Sequence, residues 1–264
     1  ANATVNARAF VDGWTPSGVS SASFAVAVQE TPFNARLWVN QGSVVLLNAA
    51  GEAYAWGSNA FGQLGIGVSD SPLPVRAPAF DQARDLSSTE HSVWIDAAGI
   101  AYGIGANYSG QLTGEPGSDL AEPAVISGLP ALQKVRVSAG FSVGLGRDGT
   151  VWVWGDNAGG QHGLGHLETA PGVSQVPGLS GVVDIQIAFG GILGLREDGS
   201  VFMWGSNPSG SGPVNSPTVV DPLPALVRLN QGFGPASGID AQGRVWVWSY
   251  NQWSQSLSPV LAPA

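Results

Sequence analysis

The chain contains no cysteine, a single lysine (Lys134), and only 11% charged residues. The absence of cysteine excludes disulfides, thiolate nucleophiles and cysteine-based zinc sites. Acidic residues outnumber basic ones by 19 to 10, which gives a net charge of -9, and the sequence has no basic run. We therefore expect no nucleic-acid partner, because phosphate binding depends on clustered lysine and arginine. No apolar stretch reaches the ~18–20 residues of a membrane-spanning helix, so no membrane span is expected.

Glycine and proline are abundant, with 38 and 18 residues, and hydrophobic residues make up 44% of the chain. This composition favours many short strands joined by tight turns around a sizeable core, and no long helix is predicted. The chain begins at Ala1 without a charged or apolar leader segment. We interpret this start either as that of a mature product whose signal was removed or as that of an excised piece of a longer chain. The lack of cysteine and the near-absence of lysine lead us to expect an exported bacterial protein.

One nine-residue pattern recurs along the chain, starting with glycine and carrying an aromatic strand that ends near an asparagine. The copies span residues 51–59, 99–107, 149–157, 199–207 and 243–251. In the third copy, Val151 and Val153 alternate with Trp152 and Trp154, and this alternation is typical of a strand. Self-similarity with a period of about fifty residues indicates a repeat architecture.

Each repeat contains four strand-like segments, which we name A, B, C and D in chain order. In the clearest copy, A to D are residues 150–154, 174–176, 183–188 and 192–196. Asp198-Gly199 then predicts a two-residue hairpin turn into the next A strand, so this aspartate is interpreted as a turn residue and not as a catalytic acid. Ser-Pro or Glu-Pro steps at the start of most B segments place B at a sheet margin.

The pattern Val-x-x-Trp-Gly-x-Asn-x-x-Gly-Gln-Leu-Gly is nearly complete in residues 53–65 and 151–165. It resembles the regulator-of-chromosome-condensation repeat, and the resemblance covers residues 36–258. The resemblance implies an all-β fold, a β-propeller of four-stranded antiparallel blades. Ile104 in place of tryptophan and Ser249 in place of glycine depart from the pattern.

The segments add up to five full repeats with half-repeats at the two ends, so we expect about six blade positions in a single β-propeller domain, residues 1–264. The expected repeats lie near 36–84, 85–134, 135–182, 183–226 and 227–264, with 1–35 as a closing A–B pair. An open ring, or one completed by a partner, is the alternative. Trp56, Trp154, Trp204 and Trp248 are expected to fill the spaces between blades.

Antiparallel order places the A–B loops and the C–D links at the same end of the propeller, and we expect function there. The candidate partner-binding residues are Phe61, Tyr108, His162 and Trp253 in A–B loops, with Glu90, His91, Phe141, Phe189 and Phe233 in C–D links. Exposed aromatic residues ringed by polar ones suit a protein interface. The alternative is that these side chains pack under the loops or fill the mouth of a central channel.

Catalytic patterns are weak in this sequence. His162 and His166 have the spacing of some metal ligands, but both fall in a loop without an assured third ligand. A serine paired with His91 would need an orienting group that the sequence does not display. We therefore predict no metal, no cofactor and no catalytic residues.

The function predicted from the sequence is that of a non-catalytic, secreted or surface-exposed bacterial propeller that binds a protein. Its most specific form is an inhibitor of an extracellular enzyme, similar in style to the secreted β-lactamase inhibitory protein of this fold. A carbohydrate-binding module is the second class, because tryptophan and tyrosine also stack on sugars. A hydrolase is the third class. A GTPase regulator like the eukaryotic founder of the family is disfavoured by the acidic charge.

Overall fold

The computed structural model describes residues 3–7, 20–24, 35–40, 42–67, 69–188, 190–206, 212–221, 223–230, 236–248 and 260–261. Internal contacts divide the chain into two compact units, Ala1–Asn34 and Ala35–Ala264. The first unit holds an antiparallel pair, β1 (Ala3–Ala7) and β2 (Ser20–Phe24). The second unit holds the repeats.

The repeat unit consists of five four-stranded antiparallel sheets, which we call blades 1 to 5. Blade 1 contains β3 (Arg36–Asn40), β4 (Ser43–Leu47), β5 (Ala53–Gly57) and β6 (Ser71–Arg76); blade 2 contains β7 (Asp85–Ser88), β8 (His91–Ile95), β9 (Ala101–Gly105) and β10 (Leu120–Val125); blade 3 contains β11 (Leu132–Ser138), β12 (Phe141–Gly146), β13 (Val151–Gly155) and β14 (Ser174–Gln175); blade 4 contains β15 (Val182–Ala188), β16 (Gly191–Arg196), β17 (Val201–Gly205) and β18 (Val214–Val219); blade 5 contains β19 (Leu226–Leu229), β20 (Ala236–Asp240), β21 (Val245–Trp248) and β22 (Val260–Leu261). The described residues include one 3-10 turn, Pro78–Phe80, and no α-helix.

The blade count corrects the expectation of about six positions, because the described residues form five blades. Each blade takes its strands in the order C, D, A, B, so it begins with the C strand of one repeat and ends with the B strand of the next. The short D–A link makes D and A neighbours in the same sheet. The C-terminal A–B pair therefore completes blade 5, whereas the N-terminal pair forms a two-stranded sheet in the other unit.

The D–A links are longer than two residues, which corrects the predicted turn type. In blade 3, β12 ends at Gly146 and β13 begins at Val151. Gly149 has a φ of 77°, whereas Gln82 is the only described non-glycine residue with a positive φ, so Asp148 does not adopt the left-handed conformation. The carboxylate of Asp148 accepts hydrogen bonds from the side chain and the backbone N–H of Thr150, and these bonds lower its pKa. Asp198 accepts the same bonds from Ser200, which confirms its predicted role as a turn residue.

Apolar clusters fill the spaces between successive blades. Trp154 of blade 3 packs in a cluster with Val93 and Leu112 of blade 2. Trp204 of blade 4 packs in a cluster with Phe141 and other residues of blade 3. Both indoles are 0% exposed, which confirms their predicted place between blades. Trp56 is half-buried, and the side chain of Trp248 lies outside the described residues.

The glycine that follows the tryptophan position allows two backbone segments to approach closely. Gly155 has a φ of 95°, and a Cβ at this position would lie 2.4 Å from the carbonyl oxygen of Gly140 in the C–D link. The corresponding Gly57 has a φ of 102° and the same close approach to Gly42. Only glycine fits this combination of backbone conformation and space.

Within each sheet the C strand forms one edge and the B strand forms the other. The C strands of successive blades, β3, β7, β11, β15 and β19, contact one another and form an inner wall. The B strands lie at the outer margin, as their proline residues predict. In the part of the chain that the structure describes, no helix is long and apolar enough to cross a membrane.

Candidate binding surface

The A–B loop and the C–D link of one blade meet at the same end of the sheet, which we call the loop end. In blade 2, the backbone N–H of Ala106 at the start of the A–B loop donates to the carbonyl oxygen of Glu90, at 3.1 Å. Asp156 makes the equivalent bond to Gly140 in blade 3, at 2.9 Å. The antiparallel strand order thus produces the arrangement that the sequence predicts.

The asparagine of the repeat holds each long A–B loop in a fixed shape. Asn157 Nδ2 donates to the carbonyl oxygens of Glu168 at 2.7 Å and His166 at 3.2 Å, and Asn157 Oδ1 accepts from the backbone N–H of His162 at 2.8 Å. Asn59 and Asn107 make the same kind of bonds in blades 1 and 2. Because these asparagines are buried and fully engaged, they serve the scaffold and not a ligand.

The glutamine that follows in the repeat joins each loop to the next blade. Gln63 Nε2 donates to the carbonyl oxygen of Thr89 at 3.1 Å, and Ser92 Oγ donates to the carbonyl oxygen of Gln63 at 2.6 Å. In blade 4, Trp204 Nε1 donates to the carbonyl oxygen of Gln161 at 2.9 Å. Hydrogen bonds consequently join the loop ends of blades 1 and 2 and those of blades 3 and 4.

Two predicted contact residues of blade 2 come together at this end. The Tyr108 hydroxyl donates to Glu90 Oε2 at 2.5 Å, and Tyr108 is 49% exposed. Phe61 of blade 1 is 38% exposed, and its backbone N–H donates to Gln63 Oε1 at 3.0 Å. Because Gln63 also bonds Thr89, next to Glu90, a continuous path of hydrogen bonds and chain neighbours links Phe61 to Tyr108.

Negative charge surrounds the tyrosine. Partial burial, followed by the hydrogen bond to Glu90 and the charges of Glu90, Asp156 and Asp119, raises the pKa of Tyr108 to about 12. The two aspartates were not among the residues predicted from the sequence, although each lies in an A–B loop. We call Phe61, Glu90, Tyr108, Asp119 and Asp156 the aromatic–acidic patch.

Three of the predicted contact residues are buried instead, which corrects their assignment to an accessible surface. His91 and His162 are 0% exposed and Phe141 is 1% exposed. Phe141 lies in the core between blades 3 and 4. His91 Nε2 is 2.8 Å from Ser142 Oγ of blade 3, and His162 Nε2 is 3.0 Å from the carbonyl oxygen of Gly155. These side chains pack under the loops because neighbouring strands cover them.

Three further predicted residues, Phe189, Phe233 and Trp253, lie outside the described residues. Their assignment to the binding surface stays a prediction. Among the nine residues predicted from the sequence, the structure thus places Phe61, Glu90 and Tyr108 at the loop end, with Phe61 and Tyr108 exposed.

The pair formed by His91 and Ser142 does not have the geometry of an activated nucleophile. Ser142 Oγ donates to the carbonyl oxygen of Gln111 at 2.8 Å, so His91 Nε2 must donate to Ser142 and cannot accept its proton. Complete burial lowers the pKa of His91 to about 3, which keeps the ring neutral. The described residues also contain no group of three side chains able to hold a metal ion. His162 and His166 differ in environment, since His166 is exposed.

Comparison with known proteins links the sequence pattern to a family. A model of the regulator of chromosome condensation (RCC1) repeat matches residues 50–89, and a second model with the same description matches residues 133–161. The human regulator of chromosome condensation is 30% identical over 127 residues, which cover 46% of this chain and 30% of that protein. The curated relatives are longer proteins, and the matches cover 3% to 31% of their lengths.

Solved structures support the same fold. Human WBSCR16 matches with a TM-score of 0.74 at 18% identity, covering 93% of this chain and 71% of that chain. Prp20p from Saccharomyces cerevisiae matches with a TM-score of 0.65 at 20% identity, covering 81% of this chain and 57% of that chain. Five four-stranded blades, the repeated Trp-Gly-x-Asn pattern and the sequence matches agree. The chain therefore carries repeats similar to the regulator of chromosome condensation repeat, and its fold is similar to that of the solved propellers.

Proposed function

We propose that this protein is a protein-binding propeller whose aromatic–acidic patch receives a positively charged surface of its partner. The observation that carries the proposal is Tyr108, which is half-exposed and hydrogen-bonded to Glu90 on a surface that its buried asparagines and glutamines hold in place. A preordered tyrosine loses little entropy on binding and supplies a large contact area. Three carboxylates around it favour basic side chains.

The proposal includes a non-catalytic role outside a bacterial cell, with inhibition of an extracellular enzyme as its most specific form. The lack of cysteine and the near-absence of lysine support export, and the buried, proton-donating His91 supports a role without catalysis. Yeast Prp20p was described with its binding properties to Gsp1p and histones. That description concerns the yeast protein, and it supports the view that a propeller of this fold can present protein-binding surfaces.

Affinity capture with matched variants tests the proposal. The immobilised chain, Tyr108→Ala and Phe61→Ala are exposed to culture medium and cell extract of the source organism, and retained proteins are quantified by mass spectrometry. Leu73→Ala is the control, because Leu73 is 68% exposed on the outer strand of blade 1 and is not part of the aromatic–acidic patch. We expect a stoichiometric partner that Leu73→Ala retains. Tyr108→Ala should bind this partner at least roughly tenfold more weakly, which corresponds to a loss of about 1.4 kcal/mol in binding free energy.

Two results would contradict the proposal. Equal retention of the partner by all four proteins would show that the patch is not the interface. Glycan-array binding that is lost in Tyr108→Ala would instead establish a carbohydrate-binding module.

Partner binding by the patch should also weaken as salt concentration rises, because exposed charges are screened within about 10 Å at 0.1 M salt. The fraction in which the partner is found, medium or extract, tests the proposed export.

A further inference from the structure

The inner wall of the repeat unit has a charge opposite to that of the whole chain. The C strands, with the residue directly before β7, carry five of the ten basic residues and two of the nineteen acidic ones, a net formal charge of +3 against -9 for the chain. The basic residues are Arg36, Arg84, Lys134, Arg136 and Arg228, and the acidic residues are Asp85 and Asp184. This concentration of basic residues is not visible in the sequence, because each blade contributes only one or two of the charged residues.

A cavity of ≈ 270 Å³ opens between the C strands of blades 1 to 4. Asn40, Arg136 and Gln186 line it, each from a different blade. Arg136 is 6% exposed and Gln186 is 4% exposed. The remaining lining is mostly apolar and includes Val137 and Ile187. Its volume is close to that of sites that hold small organic molecules, which begin near ~300 Å³.

Hydrogen bonds orient the polar side chains of the cavity, and each of these side chains keeps one N–H group without a partner. Arg136 Nε donates to Gln186 Oε1 at 3.1 Å, which fixes the amide and leaves Gln186 Nε2 without a partner. Asn40 Oδ1 accepts from the backbone N–H of Ser88 at 3.1 Å, which leaves Asn40 Nδ2 without a partner. Arg136 Nη1 donates to Asp85 Oδ2 at 2.9 Å, while Arg136 Nη2 has no partner.

All three groups without a partner are N–H donors, and buried donors of this kind require an acceptor. Asp85 does not accept from these three donors; its carboxylate accepts from Trp38 Nε1, the Val135 backbone N–H and Arg136 Nη1. A carboxylate offers two oxygens that can bond an arginine and amide donors together. The adjacent Asp85 would repel a dianion such as phosphate more than a singly charged carboxylate.

We propose that the inner cavity is a binding site for a small organic monocarboxylate with an apolar body. Its carboxylate accepts from Arg136 Nη2, Gln186 Nε2 and Asn40 Nδ2, and its apolar part contacts Val137 and Ile187. The excess of basic residues on the C strands attracts the anion. This site is separate from the aromatic–acidic patch and does not depend on the function proposed for that patch.

The test uses the full chain and two near-isosteric variants, Gln186→Glu and Asn40→Asp. Each keeps the oxygen that already accepts a hydrogen bond and replaces the donor without a partner by a second oxygen. Gln175→Glu is the matched control, because it adds the same charge at an exposed position on β14 at the outer margin of blade 3. Isovalerate and benzoate are titrated by calorimetry and followed by the ¹⁵N side-chain amide signals, with inorganic phosphate as the comparison anion.

We expect saturable binding of at least one carboxylate, with shifts of the Asn40 and Gln186 amide signals. Affinity should fall at least tenfold in Gln186→Glu and in Asn40→Asp, and should be unchanged in Gln175→Glu. If Gln186→Glu does not fold, Asn40→Asp carries the comparison. The proposal is overturned if neither carboxylate saturates the site up to about 10 mM, because a dissociation constant above that concentration is weaker than that of ordinary small-molecule sites. Tighter binding of phosphate, or equal affinity in the cavity variants and the control, would also overturn it.

Discussion

At the scale of single residues, His91 shows how a buried side chain couples stability to pH. Its ring is 0% exposed and lies at the boundary between blades 2 and 3, where it donates to Ser142 Oγ. Burial lowers its pKa from 6.5 to about 3, because the charged ring cannot be hydrated there. In the unfolded chain the ring titrates normally, so acid protonates the unfolded state first.

The stability that His91 contributes is therefore complete above about pH 6.5, falls as the pH decreases, and is lost below about pH 3. We expect the free energy of unfolding of the natural chain to drop by roughly 3 kcal/mol more than that of His91→Gln between pH 7 and pH 4. Glutamine is chosen because its amide can still donate to Ser142. The measurement is urea unfolding at several pH values.

His166→Gln is the control for this experiment, because His166 is exposed in the A–B loop of blade 3. Its pH dependence should follow that of the natural chain. Identical pH profiles for His91→Gln and the natural chain would show that His91 does not carry the acid sensitivity.

At the scale of strands, the A strands of blades 2, 3 and 4 each supply a side chain that packs the blade against the one before it. Trp204 on β17 is 0% exposed and donates to the carbonyl oxygen of Gln161 in the preceding blade. Trp152 on β13 points to the other face and is only half-buried. The alternation along the strand thus separates packing positions from peripheral ones.

We expect Trp204→Ala to lower the free energy of unfolding by roughly 3–5 kcal/mol, because it leaves a cavity between blades 3 and 4 and an unpaired carbonyl group. Trp152→Ala should cost less than half as much. Urea unfolding followed by circular dichroism provides both values. Equal losses in the two variants would contradict the proposed difference between the faces.

Strand positions were predictable because their signals are local. The A strand predicted at residues 150–154 is β13, Val151–Gly155, and the C strand predicted at 183–188 is β15, Val182–Ala188. Alternating apolar residues and a following glycine mark both ends of such strands. The prediction of a two-residue turn in the D–A link was wrong, because Asp148 bonds Thr150 with its side chain and does not adopt a positive φ.

At the scale of the whole molecule, the chain comprises two compact units, residues 1–34 and 35–264. The four apolar clusters between the blades consist of residues from the second unit, among the residues that the structure describes. The single domain predicted for residues 1–264 can therefore be examined by truncation.

We expect residues 35–264 to fold without the first unit, because each cluster between blades draws its side chains from that range. The truncated chain should keep a β-sheet circular dichroism spectrum and unfold cooperatively. Loss of cooperative unfolding would show that residues 1–34 are an integral part of one domain. The chain truncated at the same point but carrying Trp204→Ala should be less stable than the truncated chain itself.

The candidate binding residues were harder to predict than the scaffold. Phe61, Glu90 and Tyr108 were proposed because they lie in loops that leave the repeat pattern, and Phe61 and Tyr108 are exposed. The sequence could not exclude His91 or Phe141, because the residues that bury them come from other strands. Ser142, which bonds His91, is 51 positions away.

The sequence by itself determined the repeat, the strands, the inter-blade positions of Trp154 and Trp204 and the glycine at the end of the A strands of blades 1 to 4, because these depend on spacing within a few residues. Only the tertiary structure decided the number of blades, the burial of His91 and His162, and the meeting of Asn40, Arg136 and Gln186 at one cavity. The physical reason is that burial and hydrogen bonding depend on the neighbouring blade. That blade lies about one repeat away, and the pattern of a single repeat carries no information about which side chains will face it.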